Sequence, residues 1–362
     1  MTNRILIIKF WALGDLLMAT PILTALKELY PSCSIDWLVD TDYMGALEGN
    51  PLVDEVIAFD SGTWRRDYRY GRWKRYISTA LTMRRRLREA NYDIVLCLTA
   101  EKWWTLWFVV GKFKVGLFPS PKSGLLGRFY TVALARPAEK SVHNTDHYLQ
   151  VIRPLTQTAE FDRRMLYSVT VERRDSVARF LEDQGSFTLA KPLLILHPGT
   201  SQTSKCWPPE LYAELIDRLN GDFVVVITGS KKERELAIKI RDASLSPNAV
   251  SVAAGVMTSL GETGALVERA SIVVTGDTSV LHIASALDTP FVAIYGSSRP
   301  GDNRPLYGRF ELLYDDSIAC APCHLSNCPL KGTDYLRCQT AISPETVKNS
   351  IFRLLKKTGT PA

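Results

Sequence analysis

No apolar run in this 362-residue chain approaches the roughly 18 to 20 residues that a membrane-spanning helix needs. The nearest stretch, residues 103–110, is closed off by Lys102 and Lys112. Near the N-terminus Lys9 and Asp15 interrupt the apolar residues, so a secretory leader is not expected. These absences make a cytoplasmic protein the expectation, with its seven cysteines reduced. What is present is ordinary globular composition, 46% hydrophobic and 23% charged. A single core rarely grows to this length, so two domains are expected.

The net charge of +6 is unevenly spread, +5 up to Thr188 and +1 beyond it. Residues 64–88 hold ten of the basic residues against one acid, Asp67. Arg65, Arg66, Arg69, Arg72, Lys74 and Arg75 alternate there with Trp64, Tyr68, Tyr70, Trp73 and Tyr76. Arginine pairs with phosphate through two hydrogen bonds and aromatic rings settle at membrane interfaces, so a phosphorylated lipid surface suits the segment. Trp103, Trp104, Trp107 and Phe108 offer a second interfacial patch. No nucleic-acid motif accompanies the charge, which leaves nucleic acid out as a partner. A solvated helix face is the plainer reading, above all for the arginines of residues 82–88.

The stretch around which the chain is organised is residues 272–295, IVVTGDTSVLHIASALDTPFVAIY. An apolar β-branched run turns at Gly276 and meets the capping residues Asp277, Thr278 and Ser279. Val280, Ile283, Ala284 and Leu287 then recur at helical spacing until Asp288-Thr289-Pro290 ends the helix. A second apolar run follows. This is a β-α-β unit, and the free N–H groups at its helix start favour a phosphate or pyrophosphate. His282, one turn in, can reach the same anion. Ordinary capping explains the same residues without a ligand.

Two other stretches repeat the plan. Ile5-Leu6-Ile7-Ile8 reads as a buried strand ended by Lys9, followed by a loop in which Gly14 supplies backbone freedom and Asp15 stands at the carboxyl end of the strand. A helix follows by Thr20-Pro21, with Ile22, Ala25, Leu26 and Leu29 as its buried stripe. Residues 34–39, 55–59 and 93–98 read as further strands. In the second half a helix near residues 173–183 leads to Leu193-Leu194-Ile195-Leu196 and a polar loop from His197 to Lys205. That loop offers Thr200, Ser201 and Lys205 to a phosphorylated leaving group. It lacks the glycine spacing and terminal Gly-Lys-Ser/Thr of a P-loop, so nothing there predicts ATP hydrolysis. Strands at 223–228 and 250–252 and a helix at 260–269 complete a parallel sheet. Glu233, just after the first of these, suits ribose hydroxyls or, equally, a helix cap.

The blocks IKFWALGDLLMATPILTALKELYP, LHPGTSQTSKCWPPELYAELI with ITGSKKERELA, and TGDTSVLHIASALDTPFVAIYGSS together resemble glycosyltransferase family 9, the lipopolysaccharide heptosyltransferases. The resemblance implies an α/β GT-B fold, two Rossmann-like domains with parallel sheets facing a central cleft. It implies an acceptor domain over residues 1–170, a nucleotide-sugar domain over 171–342, and a last helix within 343–362, marked by Ile351, Leu354 and Leu355, that packs back on the first domain. It further implies inverting transfer of a heptose from ADP-heptose to a phosphorylated lipopolysaccharide inner-core acceptor, at the cytoplasmic face of the inner membrane, with no metal required. Residue by residue, Asp15 matches the family's base and Lys205 the lysine beside the donor phosphates. Thr200 and Ser201 match hydroxyls at the pyrophosphate, Glu233 the acid that holds the nucleoside, and Asp277, Thr278, Ser279, Val280 and His282 the donor-binding turn. Another nucleotide-sugar or acceptor on the same scaffold, an epimerase, or a non-catalytic sugar-nucleotide-binding protein are the competing readings.

Cys320, Cys323, Cys328 and Cys338 lie close together in sequence beside His324. The first pair has zinc-ligand spacing and the rest fits no standard finger, so a structural zinc competes with four plain reduced thiols. Cys33, Cys97 and Cys206 show no pairing pattern.

Overall fold

The structure is a computed structural model that describes residues 3–119, 124–135, 142–157, 160–184, 191–219, 221–257 and 259–356, with Asp302 described by its backbone alone. The chain divides into two compact units, Met1–Leu166 and Tyr167–Ala362. The division falls a few residues ahead of the expected 170/171 boundary.

Unit 1 runs β1 (Arg4–Ile8), α1 (Leu13–Ala19), α2 (Pro21–Leu29), β2 (Ser34–Asp40), β3 (Glu55–Phe59), α3 (Ser61–Arg69), α4 (Trp73–Glu89), β4 (Ile94–Cys97), β5 (Phe113–Phe118), β6 (Val132–Ala135) and α5 (Asn144–Leu149). Its six strands are parallel in the order β3-β2-β1-β4-β5-β6. β1 lies central because Ile5 to Ile8 are fully buried, an apolar run that suits a strand covered on both faces.

The expected loop around Gly14 is instead the start of α1. Leu13, Leu16 and Leu17 bury one helical face, and that burial draws Gly14 into helix with no positive φ. β5 and β6 were not legible as strands. Gly116 interrupts β5 because the Tyr130 ring occupies the place of a side chain, 2.7 Å from where a Cβ would sit. β6 is a four-residue edge whose residues are half-buried or exposed, too short for a pattern.

Unit 2 runs α6 (Val171–Asp183), β7 (Leu193–His197), α7 (Pro209–Arg218), β8 (Val224–Ile227), α8 (Arg234–Ala243), β9 (Val250–Val252), α9 (Leu260–Arg269), β10 (Ile272–Gly276), α10 (Ser279–Ala286), β11 (Phe291–Ile294), β12 (Phe310–Leu313), α11 (Arg337–Thr340) and α12 (Pro344–Lys356). The sheet order is β12-β11-β10-β7-β8-β9, again wholly parallel. Counted from its own first strand this is the same arrangement as in unit 1. The edge strand β12, half-buried throughout, was also missed from the sequence.

Val347, Ile351, Leu354 and Leu355 of the last helix, α12, join the core beneath β7, β8, β10 and β11, against α7, so its apolar face is used inside unit 2. Among the described residues no helix is long and apolar enough to cross a membrane.

Candidate functional site

In an open parallel sheet the loops on either side of the point where strand order reverses diverge, and leave a crevice at the carboxyl ends of the strands. In unit 2 that point lies between β7 and β10, and in unit 1 between β1 and β4. The proposed base, the lysine and the donor-binding turn singled out in the sequence follow β1, β7 and β10.

After β7, Thr200 closes a tight turn: its hydroxyl donates to the Gln202 carbonyl and accepts from the Gln202 N–H at 3.1 Å. A 3-10 turn, Thr203–Lys205, then brings Lys205 to β10. Its Nζ donates to Asp277 Oδ2 at 2.6 Å, and the Asp277 side chain is only 5% exposed. The same oxygen accepts from Ser298 Oγ at 2.6 Å, and Oδ1 accepts from Asn303 Nδ2 at 3.4 Å. Asp277 is therefore not the helix cap its position suggested. Thr278 is the cap of α10, accepting from the Val280 N–H at 3.3 Å and sharing a hydrogen bond with Thr275 Oγ1 at 3.0 Å. Ser279 opens the helix, while Val280 and His282 are buried within it. Ser201 is exposed at the tip of the turn. A lysine with three donors can hold Asp277 and a phosphate oxygen together, and the α10 N–H groups add the positive end of a helix dipole beside it.

Glu233, after β8, takes the capping role that the sequence offered beside ribose binding. Its Oε2 accepts from the Ser230 N–H at 2.6 Å in a capping box ahead of α8, so capping is what the carboxylate does here. The same carboxylate fills the space above Gly199, where a Cβ would lie 2.0 Å from Oε1, so residue 199 has to be glycine for the loop and Glu233 to touch. Burial pushes the neighbouring His197 imidazole below its usual range, and the charge of Glu233 partly opposes this. Ser298 and Asn303 were missed from the sequence. The Gly296-Ser297-Ser298 turn after β11 was the available signal, since a strand-ending turn beside the switch point is where ligands bind.

In unit 1, Asp15 lies in the first turn of α1, about a third exposed. Lys9, the residue after β1, approaches it at 3.9 Å. An accessible carboxylate at the carboxyl edge of a parallel sheet is suited to take a proton from a bound hydroxyl.

The basic segment folds as α3 and α4, and its aromatic residues divide into two groups. Trp64 and Tyr76 are core, not interface: their rings stack at 4.4 Å, Trp64 Nε1 donates to the Tyr76 carbonyl at 2.9 Å, and Trp104 and Phe108 pack against Trp64. Trp107 is half-buried. The exposed group is Tyr68, Tyr70, Trp73 and Trp103, to which α4 adds Ile77 and Leu81 one and two turns beyond Trp73. Arg72 and Arg75 both pair with the buried Asp67, at 3.3 and 3.1 Å, and Arg65 stacks 4.6 Å over Trp11. Arg66 donates to Thr63 Oγ1 at 2.7 Å, and Arg69 and Lys74 are exposed.

Cys320, Cys323, Cys328 and Cys338 are free thiols lining a cavity of about 70 Å³ with Leu330 and Leu336. Burial first, then the charges of the other three sulfurs, pushes the Cys338 thiol up to about 11, which keeps it protonated near neutrality. Among the described residues no group of three or more His, Cys, Asp or Glu side chains is arranged to hold a metal ion. The segment also braces the lysine loop: the Ser204 N–H donates to the Ser326 carbonyl at 3.2 Å, Ser204 Oγ meets the Leu325 carbonyl, and Thr203 Oγ1 donates to Asn327 Oδ1 at 2.7 Å.

Two parallel six-stranded sheets of one repeated order, each with polar side chains at its switch point, define a two-Rossmann protein of the GT-B fold class. The whole chain superposes on solved proteins of that class. The glycosyl transferase family 9 structure from Veillonella parvula matches with a TM-score of 0.80 and 22% identity over 98% of this chain and 97% of that one. Escherichia coli heptosyltransferase WaaC with ADP-2-deoxy-2-fluoro heptose matches with a TM-score of 0.69 and 21% identity over 97% and 99%. Lipopolysaccharide heptosyltransferase 1 of Pseudomonas aeruginosa is 27% identical across 97% of this chain and 98% of its own length. Residues 80–333 match glycosyltransferase family 9 (heptosyltransferase), and the chain belongs to that family. It is a glycosyltransferase.

Proposed function

We propose that this enzyme moves a heptose from ADP-heptose to a phosphorylated sugar of a lipopolysaccharide inner core, with inversion at the anomeric carbon. The observation that carries the reading is the Lys205–Asp277 pair beside the α10 N-terminus, a cationic cradle at the switch point of unit 2. An ADP-sugar fits that cradle, and the relatives named for heptosyl transfer supply the sugar.

In this reading the acceptor hydroxyl gives its proton to Asp15 as its oxygen bonds to the anomeric carbon. A sugar hydroxyl is too weak an acid to ionise beforehand, so base and nucleophile act in one step. The bond from that carbon to the diphosphate breaks on the opposite face, through an oxocarbenium-like state by analogy with glycoside hydrolysis. ADP departs with the electron pair. Lys205, Thr200, Ser201 and the N–H groups after Thr278 steady the charge it gains, and Asp277, held by Ser298 and Asn303, fixes Lys205 in place. No step calls for a metal ion. Incubation with ADP-heptose and truncated lipopolysaccharide cores tests the proposal: equal amounts of released ADP and of a product heavier by one heptose are expected. ADP release without a heavier product, or turnover only with another nucleotide-sugar, would overturn it.

The exposed face of α3 and α4 is read as a peripheral membrane contact on the cytoplasmic side, with Tyr68, Trp73, Ile77, Leu81 and Trp103 entering the interface and Arg69 and Lys74 meeting phosphates. Flotation with anionic vesicles should show binding that falls with salt, and Trp73→Ser with Ile77→Ser should weaken it roughly tenfold. Equal binding to neutral vesicles, or none to either, would remove the assignment.

A structural zinc on the four thiols requires them to close further around their cavity. Elemental analysis of purified protein then reads close to one zinc per chain, and a reading near zero leaves them as thiols that pack the segment bracing the Lys205 loop.

A further inference from the structure

Among the described residues of unit 1, Lys9 is the one buried ammonium, and neither the mechanism above nor the sequence motifs assign it a task. It directly follows β1 at the switch point of unit 1, and its side chain is 6% exposed. Its backbone N–H is satisfied by the Leu38 carbonyl at 3.1 Å. The ammonium makes no hydrogen bond among the described residues: Asp15 stands at 3.9 Å, and the Tyr148 ring, on α5, at 5.0 Å. Asp15, Glu101 and Cys97 are the titratable groups whose charge would support it, and burial outweighs them, pulling its pKa below the usual lysine range. A buried cation with three donors and no partner within hydrogen-bond reach is costly, and the cost is offset when an anion docks on it. With Asp15 as the base proposed above, its carboxylate beside Lys9 would meet the reacting hydroxyl, so an anion on Lys9 would belong to the same sugar.

We infer that Lys9 is a specificity-determining residue that binds an anionic substituent, carboxylate or phosphate, on the acceptor sugar close to the hydroxyl that Asp15 deprotonates. The inference rests on Asp15 marking the acceptor side, as proposed above. It explains why a lysine occupies a strand end that is otherwise apolar, and it makes acceptor choice depend on charge at a buried point as well as on the exposed arginines of α3 and α4.

The test compares wild type, Lys9→Met and Lys9→Arg on three acceptors: an intact phosphorylated core, the same core with its phosphates removed, and the core with its carboxylates esterified. Methionine fills the volume of lysine without an ammonium to desolvate, so the fold should hold; a melting curve checks this, and Lys9→Arg keeps the charge. With Lys9→Met the KM for the intact acceptor should rise roughly 30-fold or more, with kcat and the donor KM within a few-fold of wild type. Lys9→Arg should recover part of the loss. The acceptor lacking the group that Lys9 binds should be poor with wild type and no poorer with Lys9→Met, which tells phosphate from carboxylate. An unchanged acceptor KM in Lys9→Met, or an equal loss on all three acceptors, overturns the role of Lys9 alone. Failure of wild type to transfer to any of the three overturns the acceptor reading, and Lys9 with it.

Discussion

Asp15→Asn should lower kcat by roughly 10²- to 10⁴-fold while leaving the fold and the donor KM nearly unchanged. The amide has the shape of the carboxylate and cannot accept the acceptor proton, so the loss falls on the chemical step. The carboxylate is partly exposed and its ion pair with Lys9 is long, so structural damage from the exchange is small. Single-turnover kinetics with saturating donor give the check. A variant that stays folded and turns over near the wild-type rate would place the base elsewhere. Glu101, whose charge reaches Lys9 after β4, would be the next carboxylate to test.

Lys205→Met should be damaging twice over. In the proposed mechanism the departing diphosphate loses the cation that steadies it, which is expected to lower kcat roughly 10²- to 10³-fold. Asp277, whose side chain is 5% exposed, would also be left as a buried carboxylate held by Ser298 and Asn303 alone. Removing one partner of such a pair costs about 2 to 3 kcal/mol, discounted because Lys205 itself is a fifth exposed. Denaturant unfolding should therefore show a lower midpoint. The double variant Lys205→Met with Asp277→Asn separates the two effects, since it removes the stranded charge and should regain most of the stability with none of the activity. Recovery of activity in the double variant would mean that Lys205 serves only to neutralise Asp277.

The two predictions differ in how visible their residues were in the sequence. Asp15 and Lys205 follow apolar four-residue runs, Ile5 to Ile8 and Leu193 to Leu196, and such runs announce buried parallel strands whose carboxyl ends carry ligands. Thr278 was legible as a cap for the same reason. Asp277 was legible as important and misread in detail, because a capping residue and an ion-pair partner look alike until the partner is known. Lys205 lies 72 residues away in sequence, and only the pairing of β7 with β10 brings the two together.

Local pattern decides the rest only where burial is uniform. β1, β7, β8, β10 and β11 are buried almost throughout, so composition alone disclosed them. β6 and β12 sit at sheet edges with mixed exposure, and β5 carries a glycine set by Tyr130, so their strand character depends on neighbours that no window of sequence contains. The basic segment shows the same division. Its charge was plain, and the sorting of Trp64 and Tyr76 into the core from Tyr68 and Trp73 on the surface required the packing of α3 on α4.

By itself, then, the order of residues determined two α/β units, the strand ends on which the candidate residues stand, and the excess of positive charge in the first unit, because apolar periodicity and capping are local properties. The tertiary structure alone decided that α12 completes the core of unit 2, that Glu233 caps a helix against Gly199, that Asp277 holds Lys205, and that the Lys9 ammonium is buried without a hydrogen-bond partner among the described residues. Each of these depends on which distant groups share a desolvated space, where the strength of a charge or a hydrogen bond is set by its surroundings and not by its place in the chain.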